Sequence, residues 1–138
     1  MYIPFVNAME ALGNKAAVRA FREKEMVVLE QQLDIVPEDV RARILLAADY
    51  ASIGREEDSI RQLEMAVALR PNDSSVLYNA ACTYGVLGRR EDALEALVRA
   101  KDAGYSNLDW IRRDPDLEIL HGHPEFERMF PAAKSTNA

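Results

Sequence analysis

Three groups of residues have types that could do chemistry. His121-Gly122-His123, with Glu118 and Glu125 close by, brings imidazole and carboxylate donors together at short spacing, as a divalent-metal site would need. Gly122 and Pro124 put those donors on a turn, however, and neither a CxxC pair nor an HExxH helix supports them, so a solvated turn is the simpler reading. Cys82 is the single cysteine. A nucleophilic thiol needs a lowered pKa and access to solvent, and no histidine lies near Cys82 in sequence to activate it. A packed or groove-lining cysteine is expected instead. The carboxylates are numerous, yet runs such as Arg55-Glu56-Glu57-Asp58 and Arg89-Arg90-Glu91-Asp92 read as the solvated starts of helices rather than acid/base pairs. No glycine-rich phosphate loop and no GxSxG occurs. The reading is of a non-enzyme with no catalytic residue, no metal and no cofactor.

Composition narrows the remaining classes. The chain has 138 residues, 49% of them hydrophobic and 29% charged, which suits one soluble domain with a continuous core. A net charge of −6 is a poor match for a phosphate backbone, so nucleic acid is not an expected partner, with Arg112-Arg113 left as a minor basic spot. One cysteine permits no intrachain disulfide and fits a reducing compartment. Met1-Tyr2-Ile3-Pro4-Phe5 has no basic segment followed by a long apolar one, so no signal peptide is read. No run approaches the eighteen apolar residues of a membrane span. The expectation is a cytoplasmic domain, unless a longer parent chain carries an address elsewhere.

Sliding the sequence against itself by 34 positions aligns residues 37–66 with 71–100. Ten of the thirty pairs are identical: Pro37/Pro71, Asp39/Asp73, Ala47/Ala81, Tyr50/Tyr84, Gly54/Gly88, Arg55/Arg89, Glu57/Glu91, Asp58/Asp92, Leu63/Leu97 and Ala66/Ala100. Chance would give roughly two. In the second copy, Asn72-Asp73-Ser74-Ser75 supplies capping oxygens before Val76, Leu77, Ala80, Ala81 and Tyr84 at helical spacing. Gly88 ends that helix, Glu91-Asp92 opens the next, and Ala93, Leu94, Leu97 and Ala100 form its apolar stripe. The first copy repeats the plan from Pro37 to Pro71. Ala47 and Ala81 fall where the two helices of a copy approach closely, and Ala66 and Ala100 where one copy meets the next. A larger side chain there would cost on the order of 1–3 kcal/mol.

These residues resemble the tetratricopeptide repeat family. The bulky–small–aromatic alternation appears as Leu46-Ala47-x-x-Tyr50 and Ala80-Ala81-x-x-Tyr84, the second-helix signature as Ser59-x-x-x-Leu63 and Ala93-x-x-x-Leu97, and the closing proline as Pro71. Ser59 replaces the usual alanine, and Tyr105 stands where the second copy would close with proline. The resemblance implies an all-α fold: a right-handed α-solenoid of helix-turn-helix pairs with a C-terminal helical cap.

One domain over residues 1–130 is expected. Residues 1–36 read as a degenerate N-terminal unit, with Tyr2, Phe5, Met9 and Leu12 on a short first helix. Its second helix runs from about Lys15 to Ile35, with Val18, Phe21, Val28, Leu29 and Leu33 as apolar positions. That helix is about two turns longer than a standard one. Because residue 1 falls inside the first helix, the array is expected to continue upstream, the alternative being an abbreviated natural start. Repeats follow at 37–70 and 71–104, then a cap at 105–130. In the cap, Asp114-Pro115 and His123-Pro124 open short helices and Trp110, Leu117, Leu120, Phe126 and Phe130 cover the last repeat. Residues 131–138 read as a disordered tail. From about residue 15 to 130 the chain also resembles the C-terminal ending of repeat arrays fused to bacterial signalling and regulatory proteins, such as adenylate cyclases, serine/threonine kinases and winged-helix regulators.

In the family, the first helices of successive units line a concave groove. Carried onto this sequence, the groove positions are Arg41, Ile44, Leu45, Ala48 and Ser52 from one unit and Ser75, Tyr78, Asn79, Cys82 and Val86 from the next, with Asn7 joining from the N-terminal helix. Asn79 could grip a peptide backbone through its amide or merely bond a neighbouring helix, and Tyr78 offers a rigid amphipathic contact. The paired Asn and Lys/Arg residues with which some members clamp a C-terminal carboxylate are incomplete here, since Leu45 takes the place matching Asn79. The implied role is a protein-binding module or scaffold, holding a peptide or helix of a partner protein or a domain of its own parent chain. Self-assembly through exposed solenoid ends, with weak self-association, is the alternative.

Overall fold

A computed structural model describes residues 15–132, and all regular structure among them is helical. Asn7, the expected first helix over Tyr2–Leu12, and residues 133–138 of the expected tail lie outside the described residues. The chain divides between Leu69 and Arg70 into two compact units. That division falls one residue before the boundary between the two 34-residue copies.

The first unit contains α1 (Lys15–Ile35), α2 (Val40–Ser52) and α3 (Glu56–Leu69). The second contains α4 (Ser74–Val86), α5 (Arg90–Asp102), α6 (Leu108–Arg113), a 3-10 helix (Pro115–Leu120) and α7 (Pro124–Met129). The sequence period carries over into the helices. Both α2 and α4 are 13 residues long and begin 34 positions apart, as do α3 and α5. Local chemistry sets these limits. Asp39 and Asp73 each accept backbone N–H groups of the first turn that follows, through a carboxylate oxygen, which satisfies donors no helix can satisfy itself. At the other end, Arg55 N–H bonds the Tyr50 carbonyl and Arg89 N–H bonds the Tyr84 carbonyl, a closure that turns through Gly54 and Gly88 at φ 82° and 77°.

Within each unit the alanines do what close packing requires. Ala47 and Ala66 in the first unit, and Ala81 and Ala100 in the second, are fully buried. α2 packs against both α1 and α3, and α4 packs against α5. Met26, Leu29 and Leu33 of α1 join Ala42, Leu46 and Tyr50 of α2 in one apolar cluster. The expected stripe on α1 is corrected in one place: Val28 is half-exposed and points away, while Met26 takes its place in the core. Ser59 is fully buried where its matched residue is Ala93, and its hydroxyl donates to the Ala47 carbonyl at 2.7 Å. A hydroxyl is tolerated at that depth because it has an acceptor.

The C-terminal segment covers the second unit with Leu117, Leu120, Phe126 and Phe130, all buried. Trp110 does not contribute as expected. It is 39% exposed, and Ile111 beside it is the fully buried residue. Asp114 caps the 3-10 helix by accepting the Asp116 N–H, and His123 caps α7 by accepting the Glu125 N–H at Nδ1, each with proline at the first helical position.

Candidate functional site

The residues expected to line a groove divide into five on α2 and five on α4. On α2, Arg41, Ala48 and Ser52 are exposed, and Ile44 and Leu45 are half-buried, with Leu45 resting on the α1–α2 cluster. Their spacing places them along one side of the helix. The Ser52 hydroxyl donates back to the Asp49 carbonyl at 2.7 Å.

On α4 the matching side is partly occupied by the chain itself. Tyr78 is 8% exposed, and its hydroxyl donates to Asp114 Oδ2 at 2.5 Å. Its ring stacks on Tyr105, with centroids 4.1 Å apart, which accounts for an aromatic residue where the repeat pattern would close with proline. Cys82 lies beside it, with Sγ 3.5 Å from Asp114 Oδ2. Gly85 completes the seat: a Cβ there would overlap the backbone carbonyl of Asp116. The 3-10 helix therefore lies directly on the Tyr78–Cys82–Gly85 side of α4. Tyr78, expected to contact a partner, contacts the cap of its own chain. Ser75, Asn79 and Val86 remain exposed, Val86 at 54%.

The cluster under this strap also answers for the thiol. The ligand atoms of Cys82, Asp114 and Asp116 lie within 4.8 Å of one another. Burial first, then the carboxylates of Asp114 and Asp116, push the Cys82 thiol up, so it stays protonated. Asp114 spends Oδ1 on the Asp116 N–H and Oδ2 on Tyr78. Tyr78, Cys82 and Asp114 are bonded to one another, and Asp116 joins them through its backbone N–H. Burial and the bond to Asp114 likewise push the Tyr78 phenol up, so it remains a donor.

The His121–His123 turn is held by internal bonds. His121 Nε2 meets the Arg112 carbonyl at 3.0 Å, so that nitrogen carries the proton. His123 uses Nδ1 for its cap and Nε2 for Glu91 at 3.0 Å. Glu125 pairs with Arg128. Arg112, flagged as a basic spot, is turned inward: it donates to Glu127 at 2.9 Å and to the Phe130 carbonyl at 2.6 Å.

One polar site escaped the sequence reading. Asp49 is 2% exposed and Glu25 is 7% exposed, on facing helices α2 and α1. Arg22 of α1 donates to Asp49 Oδ1 at 3.0 Å. Burial, then the hydrogen bond and charge of Glu25, raise the Asp49 carboxyl to about 8. A signal was available. Glu25 falls in step with Val18, Leu29 and Leu33 on the apolar side of α1, and Asp49 interrupts the run Leu45-Leu46-Ala47-Ala48. Next to this pair, Lys15, Val18, Arg19, Arg22, Ser52 and Ile53 line a cavity of about 370 Å³.

No helix among the described residues is long and apolar enough to cross a membrane. No family model matches the chain, and neither a curated protein nor a solved structure matches it.

Proposed function

We propose that this chain is a protein-binding module of the tetratricopeptide-repeat kind, cytoplasmic and without catalytic activity, that receives a peptide or helix of another protein, or a segment of a longer parent chain, on the side of α2 carrying Arg41, Ile44, Leu45, Ala48 and Ser52. The observation that carries this reading is the contrast between matched helices. The α4 side is partly covered by the Asp114–Leu117 strap, whereas the α2 side presents Arg41, Ala48 and Ser52 to solvent with apolar Ile44 and Leu45 between them. A shallow apolar strip flanked by a cation and a hydroxyl suits an amphipathic segment, with side-chain anchors giving affinity and the polar rim giving register. Ser75, Asn79 and Val86 form a smaller open patch on α4.

The test is capture with the full chain in three forms: wild type, Ala48→Glu, and Glu64→Gln as a control on an exposed position outside the strip. A specific partner is expected to be retained by wild type and the control and lost with Ala48→Glu. Retention by all three would end the α2 assignment.

A second reading rests on α1, where Val27, Val28 and Ile35 are 53%, 50% and 77% exposed. Exposed apolar residues at helical spacing support self-association through that helix. Sedimentation over a concentration series separates the two, because a monomer at all concentrations removes the second reading and leaves the first.

A further inference from the structure

Glu25 and Asp49 sit between α1 and α2, each more than nine-tenths buried. Asp49 Oδ1 takes the Arg22 guanidinium at 3.0 Å, but Oδ2 has no N–H or hydroxyl donor among the described residues. Glu25, buried on the facing helix, raises the Asp49 carboxyl through a hydrogen bond and through its charge. Two carboxylates are both acceptors, so a hydrogen bond joins them only when one of them holds a proton and donates it to the other. With that proton in place one buried anion lies beside the Arg22 guanidinium. Without it, two buried anions lie together.

We propose that the Glu25–Asp49 pair, clasped by Arg22, is a proton-operated latch: one shared proton holds α1 onto α2, and its loss in mild alkali loosens that contact. This goes beyond the binding role and holds whether or not the α2 strip takes a partner.

The surroundings favour a response confined to this interface. Among the described residues, the leading charges acting on Asp49 come from α1, Glu25 raising and Arg22 lowering its proton affinity. α3 meets α2 at this level through neutral Ser59, whose hydroxyl is spent on the Ala47 carbonyl. One turn along, the Tyr50 hydroxyl donates to Glu30 of α1 at 2.8 Å. Burial and Glu30 push that phenol up to about 12, so it holds its proton throughout the range in which the latch works. Lys15 and Arg19 line the cavity beside Arg22. The matched position in the second unit is Thr83, which carries no charge.

The direction follows from linkage. An acid whose proton affinity is higher in the folded than in the unfolded chain takes up a proton on folding between the two values, so stability falls as pH rises through that interval. The unfolded value is the ordinary 3.8 and the folded one about 8.

The experiment is urea unfolding of the full chain from about pH 5 to pH 9, with wild type and Asp49→Asn. Asparagine keeps the shape, accepts from Arg22 and donates to Glu25 without needing a proton. The wild-type folding constant is expected to fall by up to about tenfold per pH unit, while Asp49→Asn stays close to flat. Equal slopes for the two chains would overturn the latch. Should Asp49→Asn not fold, carboxyl-carbon NMR titration of the wild type decides. A midpoint above about pH 6 for Asp49 supports the shared proton, and a midpoint below it refutes it.

Discussion

At positions 34 residues apart, the first unit buries Arg43, Asp49 and Ser59 where the second buries Leu77, Thr83 and Ala93. The helices nonetheless begin in register, with the same caps and the same glycine closures. The shared plan fixes where side chains go and leaves open what fills them, and Arg43, Asp49 and Ser59 each bond a neighbour. Arg43 donates to the Pro37 carbonyl and to Gln62, and Ser59 to the Ala47 carbonyl. The second unit takes the apolar route inside and places its polar cluster at Tyr78, Cys82 and Asp114, under the strap. One unit is stitched between helices through its core, and the other is sealed from outside by its own C-terminal segment.

The sharpest way to break that contrast is at Gly85 and its match, Ala51. Gly85→Ala drives a methyl into the Asp116 backbone carbonyl, which no rotamer change can relieve, so the strap must lift from α4. The expected cost is about 3 kcal/mol, at the upper end for overpacking, together with exposure of Leu117 and increased dye binding. Ala51→Gly in the first unit meets no such segment and is expected to cost only about 1 kcal/mol, the ordinary penalty for glycine inside a helix. Urea unfolding of the two variants compares them directly. A gain in stability for Gly85→Ala, which helix propensity alone would give, would mean that the strap does not rest on α4.

A smaller effect sharpens the same contrast at two tyrosines. Tyr78→Phe removes the hydroxyl from buried Asp114 and leaves a carboxylate oxygen short of its strong donor, at an expected cost of about 2 kcal/mol. Tyr50→Phe removes a bond to Glu30, whose carboxylate is exposed and can turn to water, so about 0.5 kcal/mol is expected. Chemical unfolding at neutral pH is the measurement. A Tyr50→Phe loss equal to that of Tyr78→Phe would show that burial of the acceptor does not govern the cost.

Helix limits, the small-residue positions and the capping residues were legible in the sequence because each depends on residues close along the chain. Asp39, Gly54 and Ala47 act within a turn or at a fixed offset. The α1 helix over Lys15–Ile35 and the caps at Asp114 and His123 belong to the same class. The seat of the strap was not legible. Tyr78 and Asp114 are 36 residues apart, and nothing local in either shows that a 3-10 helix will lie across Gly85. The buried acids were passed over for a related reason. Most carboxylates here stand next to Arg or Lys on wet surfaces, and Glu25 and Asp49 differ only in falling on the apolar side of their helices. Trp110 misled by size: a large ring is expected inside, yet its smaller neighbour Ile111 points to the core, because a short helix turns only one side inward.

The finest distinction between the units lies in two aspartates that do the same job. Both cap a helix, but Asp39 also accepts the Gln32 side-chain amide at 3.0 Å, a bond that ties α1 to the start of α2. Among the described residues, Asp73 accepts only backbone groups of its own helix. Replacing either with alanine removes a cap and is expected to cost about 1 kcal/mol, with Asp39→Ala the costlier by a few tenths. The Ala42 N–H, and after it the Gln32 amide, hold the Asp39 carboxyl below its ordinary value of 3.8. An acid depressed in this way stabilises the fold above its ordinary value and loses that contribution as pH falls through the folded value. The gap between wild type and Asp39→Ala should therefore be full near about pH 6 and narrow steadily below about pH 4. Thermal melts across that range measure it. A gap that stayed constant into acid would show that Asp39 acts through shape and not through its charge.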